Sequence, residues 1–429
     1  MSSTIASLEA REILDSRSRP TLEVTLVLDD GTRAAAGVPS GASTGAQEPV
    51  ELRDGDPERY AGAGVLQAAR NVGDVIAPEL RGRPVGRLSD LASIDQALWE
   101  LDGTANLSRL GANAVVGVSM AAARAAAAHA GTPLWRFLSE EYQDGRARMP
   151  VPHFNVVNGG AHASNDLDFQ EFMVAPVGAP SYTEALRAGS EIYGSLRGLL
   201  RGAGQSTGLG DEGGFAPAVS KPEQVLALLV EAIEVAGYHT GPHGVMIAID
   251  PAANGFHDSK QGIYRVAGAD LDAAALVDRY AQMVERFPIW SIEDGHAETD
   301  LSGWSLMTQR LGGRVQVVGD DLLVTNPARI SMGVRDHWAT AALIKVNQVG
   351  TVTQTLEALR RCRDAGWGAM ISHRSGETTD DFIADLAVAS GCGQIKSGAP
   401  ARGERLAKYN RLLAIDASAS LPFGIPTDW

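Results

Sequence analysis

Cysteine is almost absent. Cys362 and Cys392 are the only two in 429 residues, and neither sits in a CxxC spacing. That excludes a disulfide framework and a cysteine-type zinc site. Long apolar runs are missing too, so no segment reads as a bilayer span. The nearest approach, "NAVVGVSMAAARAAAAHAG", is interrupted by Asn113 and Arg124. The first residues, "MSSTIASLEAREILDSR", lack the apolar core of a signal peptide. No membrane partner is expected, and a cytoplasmic location is the default. Positive charge is scarce. Lys plus Arg number 37 against 52 Asp plus Glu, a net charge of -15. This balance argues against nucleic acid or an anionic membrane as partner. It leaves an anionic substrate open, because a bound cation or a local Arg/Lys cluster reverses the sign inside one cleft. Low-complexity tracts and solenoid repeats are also lacking.

What is present is enough apolar residue, 44%, for a large core. The length fits one large barrel, alone or with a smaller partner domain. The first part reads as strands followed by helices. "TLEVTLVLDDGTRAAAGVP" alternates around Asp29-Asp30-Gly31-Thr32, a hairpin signal. Residues 61–140 then carry helical patterning, which makes an α+β arrangement. "EEYQDGRARMP" is polar and reads as a linker. Beyond it, short apolar runs alternate with amphipathic helices, the rhythm of a parallel α/β fold. Their number fits a closed (β/α)8 barrel of TIM type. The first two runs, "VPHFNVVN" and "DFQEFMVAPV", have no clear helix between them, so the barrel starts irregularly. The expected domains are residues 1–139 and 140–429.

The later strands end on polar residues. "GVMIAID" stops at Asp250, "IWSIED" at Glu293-Asp294 and "RVQVVGDD" at Asp320-Asp321. Lys345, His373 with Arg374 and Ser375, and Lys396 follow at successive ends. One acid after a strand is most often a turn or capping residue. A barrel, however, gathers the C-terminal ends of its strands at one face, where active sites sit. Six such strand ends in succession therefore form a constellation. Burying two lysines also calls for anionic partners.

Oxygen ligands alone suit a hard cation, with Mg2+ the best match. A lysine beside such an ion and a second lysine has its pKa depressed, which makes a general base for a weakly acidic carbon. "PSGASTG" fits a lid carrying ligand oxygens. "STGLGDEGGFAP" puts Glu212 in a glycine-rich turn, placed to act as an acid. "NGGAHASNDLDFQEF" contributes His162 and Glu171, and Arg374 with Ser375 suits a phosphate.

The motifs "VPSGASTG", "LGANAVVGVS", "NGGAHAS", "GDEGGFAP", "SIED", "GDDLLVTNP", "IKVNQVGT", "SHRSGET" and "IKSGAPAR" together resemble the enolase family almost end to end. The resemblance implies a smaller N-terminal α+β domain and a modified barrel beginning ββαα. It implies two Mg2+ per site, the first on Asp250, Glu293 and Asp320, the second on Ser40 and substrate oxygens. Lys345 would remove the C2 proton of 2-phosphoglycerate. Glu212, with Glu171 beside it, would assist departure of the C3 hydroxyl. Lys396 would neutralise the substrate carboxylate, and Arg374 and Ser375 would take the phosphate. His162, Gln170 and His373 would line the site, and a homo-oligomer, dimer or octamer, is implied.

The chain departs from the usual family pattern at Ser18-Arg19, Pro49, Asn254-Gly255 and Gly403. A second reading is therefore a paralog making carboxyphosphonoenolpyruvate, with Arg19 attracting an additional anion. A third is a non-catalytic binding protein, against which the intact Lys345, Lys396 and Glu212 argue.

Overall fold

The computed structural model describes residues 3–41, 45, 47–142 and 146–426. An antiparallel sheet opens the chain: β1 (Ser3–Leu14), β2 (Pro20–Leu28), β3 (Arg33–Gly37) and the short β4 (Pro84–Val85), ordered β3-β2-β1-β4. The β2–β3 hairpin turns at 29–32 as its alternation predicts. The Ala-rich helix Ala112–His129 packs on this sheet. Its small residues allow a close approach. A Cβ at Gly117 would stand 2.6 Å from a Val24 methyl, so a larger residue there would push the helix off the sheet.

The barrel begins with β5 (Val151–Asn158) and β6 (Glu171–Ala175), an antiparallel pair. Helices Tyr182–Gly202 and Pro222–Val235 follow, then β7 (Met246–Asp250). A separate three-stranded sheet, β8 (His257–Asp258), β9 (Ile263–Val266) and β10 (Ala269–Leu271), intervenes. Its strands are too short for an alternation to show in the sequence, and the pattern reading passes over it. Then come β11 (Ile289–Glu293), β12 (Gln316–Gly319), β13 (Ala341–Ile344), β14 (Gly368–Ser372) and β15 (Gln394–Lys396). The eight strands close in the order β11-β12-β13-β14-β15-β5-β6-β7. Only β6 runs against its neighbours. Its first residue, Glu171, therefore lies at the same mouth as the last residues of the others and pairs with Asp250.

Strand parity decides what enters the barrel. Val318, Ala341, Leu343 and Met370 make a buried cluster of their own, separate from the main core. Asp320 and Lys345 continue the same parity as Val318 and Leu343, one step beyond the strand.

The helix Leu134–Tyr142 spans the expected boundary at 139/140. The two domains are clamped by ion pairs and backbone contacts. Arg124 reaches Asp380 at 3.0 Å and Asp381 at 2.7 Å. Ser40 exchanges backbone hydrogen bonds with Gly376 at 2.8 and 2.9 Å. Ser18 lies in the turn after β1 at φ 59, the left-handed region. Glycine enters that region freely, whereas serine there costs on the order of 1 kcal/mol.

Asp95, on helix Leu88–Asp102, accepts the Thr353 N–H of the barrel at 3.0 Å. It is buried, no cation among the described residues pairs with it, and burial pushes its carboxyl up to about 6. A folded-state pKa above the unfolded one gives stability that is complete at low pH and lost as pH rises through about 6. Asp95→Asn keeps the acceptor oxygen and removes the charge. It should stabilise the protein by on the order of 1–3 kcal/mol at pH 8 and by little near pH 4. Denaturant titration at both pH values checks this, and an equal effect at both would contradict it.

Candidate active site

The strand-end residues do converge. Gln170, Glu171, Glu212, Asp250, Asp320 and Lys345 line one buried cavity, which His162, His373, Arg374, Ser375 and Lys396 complete. Glu293 lies against Lys396, and Ser40 stands apart at the domain seam. The Ser40 hydroxyl donates to Glu51 at 3.1 Å and accepts from Arg53 at 3.0 Å. Loop residues 42–44 and 46 lie outside the described residues.

Charge compensation organises the cavity. Lys396 places its ammonium 2.8 and 2.9 Å from the Glu293 oxygens, 3.1 Å from Glu171 and 3.7 Å from Asp250. Lys345 pairs with Asp320. The other Asp320 oxygen accepts from Gln348 at 2.9 Å. Burial opposes a charge on Lys345, but Asp320 outweighs it and holds the ammonium above its usual value. Burial and the neighbouring Glu293 push Asp250 well above the usual carboxylate range.

Opposite Lys345 lies a pair of acids. Glu212 accepts from Asn155 at 3.0 Å and stands 3.2 Å from His373 Nε2. His162 Nδ1 is 3.7 Å from both Glu171 and Glu212. Burial, with Glu212 nearby, pushes Glu171 up to about 8. Burial works against charge on Glu212 as well, but the His373 ring that faces it and the nearby charge of Arg405 hold it well below its usual range. Of the two acids, Glu171 is thus the one that takes up a proton more readily. Burial drives His373 down to about 3, against the pull of Glu212, so it meets that carboxylate as a neutral imidazole.

The anion corner is Arg374 with Ser375. Arg374 reaches Glu48 at 3.0 Å and Asn347 at 3.1 Å. Arg17, from the N-terminal domain, donates to the Ser375 hydroxyl at 3.2 Å and to the Gly41 carbonyl at 3.0 Å. Sequence reasoning missed Arg17, Glu48, Asn155 and Arg405. Only Asn155 carried a signal, as a polar residue inside the apolar run "VPHFNVVN". Asp294 also has a role beyond its quoted motif. At φ 41 its carboxylate accepts the backbone N–H groups of Asp320 and Asp321, each at 2.9 Å, and so fixes the next strand end.

The departures from the family pattern lie outside the lining of this cavity. Asn254 donates to Asp321 at 2.9 Å and accepts the Glu298 N–H at 2.9 Å. Gly255 faces open space. Arg19 is exposed and uses its backbone N–H to cap Asp15. It lies outside the cavity lining. Nothing in the structure explains Pro49.

The donor set fits a hard cation. Asp250, Glu293 and Asp320 offer oxygen atoms only. Glu171, Glu212, Asp250, Glu293, Asp294 and Asp320 are all buried here, against the cations Lys345, Lys396 and Arg374. Among the described residues, the acidic and histidine groups whose ligand atoms already lie within 4.8 Å of one another are His162/Glu171/Glu212 and Asp294/Asp320/Asp321. In Asp250, Glu293 and Asp320 the lysines hold the intervening space.

Comparison with known proteins agrees with this geometry. Residues 5–138 match the family model "Enolase, N-terminal domain", and 146–420 match "Enolase, C-terminal TIM barrel domain". The chain is 51% identical over 420 residues to "Enolase 1" of Methylococcus capsulatus, covering 97% of this chain and 98% of that one. It is 52% identical over 419 residues to "Enolase 2" of Pseudomonas syringae pv. syringae, covering 97% and 96%. With both domains matched and the strand-end constellation in place, the chain belongs to the enolase family.

Proposed function

We propose the following division of labour for a lyase that dehydrates 2-phosphoglycerate to phosphoenolpyruvate. One observation carries it. In the closed ring β13 and β6 are four strands apart, so Lys345 and Glu171 face each other across the cavity. A base on one side and an acid on the other are what removal of a C2 proton and departure of a C3 hydroxyl require. Lys345 takes the C2 proton once Asp320 is engaged elsewhere. The Glu212/Glu171 pair, which holds one proton, delivers it to the departing hydroxyl. Arg374 and Ser375 take the phosphate, with Arg17 steadying Ser375. Lys396 meets the substrate carboxylate, and His162, Gln170 and His373 shape the walls.

Asp250, Glu293 and Asp320 would hold Mg2+, and Ser40 would serve a second ion. When bound, Mg2+ supplies positive charge to the substrate carboxylate and so steadies the enediolate left by proton removal. A homo-oligomer and a cytoplasmic location belong to the same proposal and rest on family membership. Among the described residues, no helix is long and apolar enough to cross a membrane. The phosphonate reading is not favoured, because the relatives named above are enolases and Arg19 stays outside the cavity. The retained acid, base and anion groups speak against a purely binding role.

Two outcomes test this reading. Burial and Glu293 raise the proton affinity of Asp250, and a cation competes with protons for its oxygens, so adding Mg2+ to weakly buffered protein should release protons. A pH electrode reads this, and no release would contradict the ligand assignment. Arg374→Gln should raise KM for 2-phosphoglycerate by about 10–100-fold, the equivalent of roughly 1.5–3 kcal/mol of charge-assisted hydrogen bonding. An unchanged KM would remove Arg374 from the phosphate site.

A further inference from the structure

Arg405 is a buried guanidinium that the catalytic scheme above leaves unused. It belongs to helix Gly403–Ser418 and is 0% exposed. Its nearest carboxylate oxygen, on Glu404, is 3.5 Å from Nε. Its two terminal nitrogens go to backbone carbonyls instead. They donate to Arg374 at 2.7 Å, to Ser375 at 2.7 Å and to Asp211 at 3.3 Å. One of them also contacts His373 Nδ1. The three carbonyls belong to the phosphate corner and to the residue before Glu212. One side chain thus grips both ends of the site without lining the cavity.

The contact with His373 has a chemical consequence. A guanidinium only donates hydrogen bonds. The ring nitrogen that faces it must therefore carry a lone pair. A neutral imidazole has one N–H, so the proton goes to the other nitrogen, Nε2. That nitrogen stands 3.2 Å from Glu212 Oε2. The contact is not yet an aligned hydrogen bond, and Nε2 has no other partner among the described residues. Catalytic hydrogen bonds of this kind commonly tighten when substrate arrives.

We propose that Arg405 is a positioning residue that locks His373 as the Nε2–H tautomer, so that a neutral donor always faces Glu212. The assignment rests on the reading of Glu212 as part of the acid pair. With the opposite tautomer, a bare nitrogen would face the Glu212 carboxylate and repel it. His373 would then compete for the proton that the acid pair holds. Burial already keeps the ring neutral, with its pKa pushed down to about 3. The tautomer is therefore the property left for Arg405 to set.

Ring-15N-labelled protein reads the tautomer directly through two-bond proton–nitrogen spectra. His373→Gln identifies which of the nine histidines is in view. In the unaltered protein, His373 should show a protonated Nε2 and a bare Nδ1. An Nδ1–H ring, or an exchanging mixture, would overturn the proposal whether or not any variant folds. In Arg405→Met, His373 should drift to a mixture. There kcat should fall by ~10–100-fold, the usual cost of losing an orienting partner, with KM nearly unchanged. Arg405→Lys keeps the charge and one donor nitrogen in place of three, and should recover part of both. A folded Arg405→Met with the same tautomer and the same kcat would also overturn it. An unaltered protein with the Nε2–H ring but no turnover of 2-phosphoglycerate would support the lock and count against the proposed reaction instead.

Discussion

Carboxylates taken out of water repel one another, and the mouth of this barrel gathers six of them. Glu171, Asp250, Glu293, Asp294 and Asp320 lie at strand ends or one residue beyond, Glu212 lies on the loop before helix Pro222–Val235, and all six are buried. Such a ring is stable only if its charge is compensated. The protein answers in three ways. Lys396 sits among Glu293, Glu171 and Asp250, and Lys345 pairs with Asp320. Glu171 takes up a proton more readily than Glu212. Asp294 turns its carboxylate onto the backbone N–H groups of Asp320 and Asp321.

The same compensation prepares the chemistry. Groups that hold each other's charge are groups whose proton affinity changes once a cation and an anionic substrate enter. In the proposed scheme Lys345, paired with Asp320, becomes the base once Asp320 is drawn away, and Glu171, with its raised pKa beside Glu212, supplies the acid side. The strand order places these two functions across the ring from each other. The reversed β6 brings Glu171 to that mouth, and the ββαα start of the barrel is what makes the reversal possible.

Much of this was legible in the sequence for a physical reason. Parallel strands of a barrel end at one face, so polar residues closing successive apolar runs point to one place. Asp250, Glu293, Asp320, Lys345 and Lys396 were found that way. The start of the barrel was legible because no helical pattern separates "VPHFNVVN" from "DFQEFMVAPV". The rest depends on contacts between distant segments. Arg405 is one arginine in an ordinary amphipathic helix, and nothing local shows that it reaches His373. Arg17 touches Ser375 from 358 positions away. The β8–β10 sheet has strands too short to pattern. The raised pKa of Lys345 follows from Asp320 at its side, which no spacing along the chain reveals.

The account stands on a base and an acid that act on opposite sides of one substrate. The most direct test separates them by following exchange of the C2 hydrogen of 2-phosphoglycerate in deuterated water, alongside formation of phosphoenolpyruvate. Glu212→Gln should exchange the hydrogen while forming no product, and Lys345→Ala should do neither. Exchange that survives in Lys345→Ala, or that is lost equally in a folded Glu212→Gln, would contradict the account.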